Sequence, residues 1–110
     1  MAFDETVAAR VRTALGRKKG VVEKKMFGGI AFLLNGHMSI GVLRDHLVLR
    51  LGEEGAAEAL AEPHTRFMDF TGKPLKSMLY VDPPGFETAD RLRIWVRRAV
   101  AFAESLPPKA

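Results

Sequence analysis

The sequence predicts an α+β two-layer domain, an antiparallel sheet of about four to five strands packed against helices. Three observations carry that expectation. Apolar residues recur at helical spacing near both ends of the chain, from Val7 to Leu15 and from Leu92 to Ala103. Between them, Asn35-Gly36 divides two apolar runs, which is a hairpin signature because a type I′ turn needs positive φ at both central residues. No repeat or linker-like stretch interrupts the 110 residues, so residues 1–110 are expected to form one domain in the order α-β-β-β-α-β-α.

Each element has a local reason. Asp4 is an N-cap for a helix over about residues 4–16, with Val7, Ala8, Val11, Ala14 and Leu15 on one face. Arg17-Lys18-Lys19 between Gly16 and Gly20 places cations where a helix C-terminus favours them. Val21–Phe27 and Ile30–Leu34 read as strands, with His46–Leu51 as a further one. Gly52-Glu53-Glu54 opens a short helix to about Ala61, which Pro63 ends. Residues 64–76 are expected to be irregular. Ser77–Val81 alternates as a strand, Leu79 and Val81 to one side, Met78 and Tyr80 to the other. After Asp82-Pro83-Pro84-Gly85, residues 87–105 carry the stripe Leu92, Trp95, Val96, Ala99, Val100 and Ala103, with Trp95 expected to be packed.

A two-residue turn at Asn35-Gly36 sets Leu34 opposite His37, Leu33 opposite Met38 and Ala31 opposite Ile40. On that register Ala31, Leu33, Met38, Ile40 and Val42, continued by Leu47, Leu49 and Leu51, form the core face. Ile30, Phe32 and Leu34 then fall on the opposite face, with His37, Ser39, Gly41, Val48 and Arg50. Three large apolar residues on a wet face need a cover. Either a helix or loop of the same chain or a second subunit would supply it, and Ile30, Phe32 and Leu34 are the expected dimer face in the second case.

Composition narrows the chemistry. Cys is absent, which excludes disulfides, thiolate nucleophiles and cysteine metal sites. The N-terminus lacks the pattern of a signal peptide, and no apolar run approaches the roughly 20 residues that span a bilayer. A cytoplasmic protein without membrane contact is expected. A net charge of +4 is unevenly spread: Arg10, Arg12, Arg17, Lys18, Lys19, Lys24 and Lys25 face only Glu23 within residues 10–25. Arg17, Lys18, Lys19, Lys24 and Lys25 are the nucleic-acid contacts to test, against the alternative of a solvated surface.

Lys24-Lys25-Met26-Phe27-Gly28-Gly29 invites comparison with a phosphate-binding loop. A Walker loop needs Gly-Lys-Ser/Thr opening a helix, whereas this segment opens a strand. Thr71-Gly72-Lys73-Pro74 fails for a similar reason, with proline where the hydroxyl is required. His37 and His46 lie at opposite ends of one strand, about 20 Å apart at 3.3 Å per residue, too far to share a metal. His64 has no second imidazole or acid nearby, and Ser39 and Ser77 lack a nucleophile context. The expectation is no catalytic residue, no metal, no cofactor and no enzyme activity. Gly28-Gly29 is then read as a bend, where a side chain would obstruct twist or close packing, with Lys24 and Lys25 as edge charges.

Three segments, in order, resemble the TfoX (Sxy) N-terminal domain family: Met26-Phe27-Gly28-Gly29 before an apolar strand and Asn35-Gly36, the run from Thr71-Gly72-Lys73-Pro74 to Val81, and the helix holding Trp95. The resemblance covers about residues 5–106. It implies a two-layer α+β domain with an antiparallel sheet, in agreement with the reading above. It also implies a link to bacterial regulators of competence that act with other transcription factors, and supplies no catalytic residues. Full-length regulators of this kind carry a second, C-terminal domain, so a chain ending at Ala110 is expected to be a stand-alone member. The expected function is a non-enzymatic regulatory module that binds a protein partner or itself; the alternative is direct nucleic-acid binding through residues 17–25.

Overall fold

The computed structural model describes residues 3–26, 28–69, 72 and 74–107, Pro74 by its backbone alone. Helix α1 (Glu5–Leu15) is followed by strands β1 (Val21–Met26), β2 (Gly29–Leu34), β3 (His37–Leu43) and β4 (His46–Arg50). Helix α2 (Gly52–Ala59), strands β5 (Thr65–Asp69) and β6 (Pro74–Val81), a 3-10 turn at Pro83–Phe86 and helix α3 (Ala89–Glu104) complete the order. The six strands form one sheet, β1-β2-β3-β4-β6-β5, with every neighbouring pair antiparallel. The expected α+β layers are present, with six strands rather than four to five.

Local chemistry accounts for the elements. The Asp4 carboxylate accepts from the amides of Thr6 and Val7 at 2.8 and 3.1 Å, capping α1. Thr88 does the same for α3, accepting from Arg91 N at 3.1 Å. Asn35 and Gly36 take φ of 53° and 84°, the two positive values a type I′ turn requires. Behind α2, the Glu62 carboxylate accepts from Arg91 at 2.7 Å and also from Arg98, tying the connection after α2 to α3. Burial pushes the Glu62 carboxyl up, but the two guanidinium hydrogen bonds outweigh it and hold the group below its ordinary range.

Ser39 changes the face assignment. Leu34 opposes His37 and Leu33 opposes Met38, as a two-residue turn demands, but Phe32 then opposes Ile40, not Ala31. Ser39 is the extra residue of a β-bulge, and it shifts everything beyond it by one. Ile40 and Val42 therefore share a face with Ile30 and Phe32, while Leu33 and Met38 lie on the other. The core forms on the first face. Ile30, Phe32, Ile40, Val42, Leu47, Leu49, Leu79 and Val81 pack against Val11 of α1, Ala56 of α2 and Trp95 of α3. The assignment of Ile30, Phe32 and Leu34 to a dimer face is thus corrected. They are 6%, 1% and 2% exposed, and the chain's own helices cover this face.

Two further expectations need revision. The segment 64–76, read as irregular, holds strand β5 and the start of β6, paired from Thr65↔Val81 to Asp69↔Pro74 with a register break between Phe67 and Met68. Helix α2 stops at Ala59, four residues before Pro63, because the chain must turn back into β5. Trp95 is fully buried, and its indole N–H donates to Gly85 O at 3.0 Å.

Candidate interaction surface

All three helices contribute to the same buried cluster, so the sheet has one covered face and one without a helix. On the second face Val48, Met68 and Tyr80 form a separate buried cluster, bordered by half-buried Met38, Leu43 and Met78. The register adds Ala31 and Leu33 of β2, and Val22, Lys24 and Met26 of β1. Val22 is the most exposed large apolar side chain among the described residues, at 62%. Four of the chain's five methionines, Met26, Met38, Met68 and Met78, belong to this face; Met1 lies outside the described residues.

A polar group borders the face at the β4–β6–β5 end. Arg66 donates from Nε and Nη2 to the Asp82 carboxylate at 3.3 and 3.0 Å, and its guanidinium lies 4.5 Å from the Tyr80 ring centroid. His46 packs edge-on to Tyr80 with centroids 4.5 Å apart, and its Nδ1 is 3.7 Å from Asp45 Oδ1. Its Nε2 has no hydrogen-bond partner among the described residues. Burial, helped by the charge of Arg66, pushes the His46 imidazole down and keeps it neutral; burial pushes the Tyr80 phenol up. Among the described residues no group of three or more His, Asp or Glu side chains could hold a metal ion.

The residues singled out from sequence fall in different places. Gly28 has φ of 78°, and a Cβ on Gly29 would stand 2.2 Å from Val42 O, so the glycine pair serves a turn and a close strand approach. Gly72 also has positive φ, at 83°. Phe27 and Lys73 lie outside the described residues, as do Thr71 and the Pro74 side chain. The basic segment does not form one patch. Lys18 is paired with Glu104 at 2.8 Å, Arg17 and Lys19 sit on the connection after α1, and Lys24 and Lys25 project from opposite faces of β1. Sequence reasoning placed Leu33 and Met38 in the core and had no strand for Met68. The alternation of Thr65 and Phe67 against Arg66 and Met68 was the signal that could have found β5.

On the helix side an apolar groove of about 370 Å³ lies between α1 and α3, walled by Thr6, Ala9, Thr13 and Leu92. Its two arginines are already engaged. Arg10 donates to the carbonyls of Phe86 and Glu87, and Arg93 pairs with Asp90.

A six-stranded antiparallel sheet backed by helices on one face and free of them on the other defines an open-faced α+β domain. The chain belongs to the TfoX N-terminal domain family, whose model matches residues 13–103, most of its length. Searches of curated proteins and of solved structures return no significant match. No helix among the described residues is long and apolar enough to cross a membrane.

Proposed function

We propose that this domain is a non-enzymatic interaction module, a protein-binding regulator connected to transcription or competence, and that its working surface is the helix-free face of the sheet. The observation that carries the reading is the half-buried margin of Met38, Leu43 and Met78 around the buried Val48, Met68 and Tyr80, on a face that no helix protects. Methionine suits such a role, because its unbranched thioether adapts to the shape of what it meets. Family membership supports a regulatory or interaction module. Splitting of the basic residues over two faces and an ion pair with Glu104 favours a protein partner over a nucleic acid.

A photo-crosslinking amino acid placed at Met38 or Met78, with Arg97 on the helix side as control, tests the reading in cells that express the protein. Met38 and Met78 should yield a discrete adduct with another protein, and Arg97 should not. Adducts of equal pattern at all three sites, or none at Met38 and Met78, would rule the helix-free face out as the working surface.

A further inference from the structure

The two edges of the sheet are built differently. β5 is five residues long, its pairing with β6 breaks register between Phe67 and Met68, and Arg66 is tied across it to Asp82. Such an edge is a poor template for another strand. β1 is six residues long, has no proline, and pairs with β2 in unbroken register from Val21↔Leu34 to Met26↔Gly29. It has no neighbour on its other side, so half of its backbone N–H and C=O groups lack a ladder partner. It is also the most exposed strand among those described, and it carries the 62% exposed Val22.

Its charges say what would fit. Opposite Phe32, Glu23 lies on the helix side of the sheet, where both its oxygens take hydrogen bonds from Arg12 at 2.7 and 2.9 Å. Lys25, opposite Ile30, projects to the same side; Lys24, opposite Ala31, projects to the other. Among the described residues neither lysine has an ion-pair partner. An added strand would place one residue directly across from each, on the matching face. We propose that the β1 edge accepts an extended acidic segment of a partner protein as a seventh, antiparallel strand. Read from its N-terminus, that segment has an apolar residue opposite Met26, acids opposite Lys25 and Lys24, and an apolar residue opposite Val22. This is β-augmentation, in which backbone bonds hold the strand and alternate side chains select it. A second copy of this chain fits less well. The register that pairs Glu23 with Lys25 and Val22 with Met26 across a two-fold axis sets Lys24 against Lys24.

The inference stands on the open backbone edge of β1, which can take a strand whether or not the methionine cluster binds anything, so the two readings can fail separately. The probe is a seven-residue blocked peptide whose centre reads valine, two glutamates, lysine and valine. Controls are the charge-reversed peptide and an N-methylated copy that keeps the charges but cannot donate to a ladder. Affinity by fluorescence anisotropy at low salt, with amide shifts mapped by NMR, should show the acidic peptide binding about tenfold or more tighter than the reversed one. Shifts should centre on Val21–Met26, N-methylation should abolish binding, and Lys24→Glu/Lys25→Glu should invert the preference between the two peptides. Equal binding of the two charge patterns, full binding of the N-methylated copy, or shifts centred elsewhere would overturn the proposal. A dimer by light scattering, with β1 amides protected from exchange in the absence of peptide, would overturn it too, in favour of a second copy at the edge.

Discussion

The covered and helix-free faces of this sheet are both rich in apolar residues, yet they are built from different ones. The covered face uses Ile30, Phe32, Ile40, Val42, Leu47 and Leu49, mostly branched or aromatic side chains with few rotamers, locked against Val11 and Trp95. The other uses Met38, Met68 and Met78 around Val48 and Tyr80, with Met26 at the β1 margin. Stiff side chains specify one packing; thioethers tolerate several. Side-chain stiffness therefore distinguishes the face that builds the main core from the helix-free face proposed for binding, where hydrophobicity alone does not. The predictions below press on that difference.

The largest effect is expected on the covered face. Phe32→Ala should cost about 3–5 kcal/mol, because a fully buried ring leaves a cavity between sheet and helices. Met38→Ala on the half-buried margin of the other face should cost about 1 kcal/mol or less. Urea unfolding of both variants measures the contrast. Equal losses would break the comparison, since they would mean that Met38 is packed as firmly as Phe32.

Much of the fold was legible in the sequence. Helical spacing located α1 and α3, Asn35-Gly36 fixed the β2–β3 turn, and alternation sorted Leu79 and Val81 from Met78 and Tyr80. The misassigned faces came from one residue. Alternation counts residues in twos, and Ser39, small and polar beside a turn, gives no sign that it is an unpaired insertion. Missing it put β2 and Met38 on the wrong faces, although Ile40 and Val42 were placed correctly, and made core residues look like a dimer surface. β5 escaped for a different reason. Its five residues follow His64, which takes φ of 65°, and their polar members Arg66 and Asp69 weaken the strand pattern. Without β5 and with Met38 misplaced, the methionine face had no visible cluster. The surface depends on strand pairs distant in sequence, and local patterns do not carry those.

A smaller loss is expected where the hairpin itself is tight. In Gly29→Ala the new methyl would stand 2.2 Å from Val42 O, so β2 and β3 must separate at that end. The cost should be about 1–3 kcal/mol. Hydrogen exchange sharpens the reading: amides near Gly29 and Val42 should lose protection first, while those of α3 keep theirs. Uniform loss of protection would place the strain in the whole core instead of the β2–β3 junction.

The smallest effect concerns how the helix layer is held over the covered face. Glu62→Gln removes a carboxylate that accepts from both Arg91 and Arg98, which are themselves 41% and 43% exposed. Solvent screening limits the cost at neutral pH to about 0.5–1 kcal/mol. The sign with pH follows from the lowered carboxyl in the folded protein. Above the ordinary carboxylate value of 4.5 the stabilisation is fully present, and it is lost as pH falls through the lower folded value. The gap between wild type and Glu62→Gln in thermal unfolding should therefore close on acidification toward pH 3. Methyl signals of Met38, Met68 and Met78 should stay where they are in the variant, because Glu62 and its arginines belong to the opposite layer. A gap that persists in acid would mean that the side chain acts by packing and not by charge. A shift of the methionine signals would mean that the two faces are coupled, and that events on the helix side can reach the surface proposed for binding.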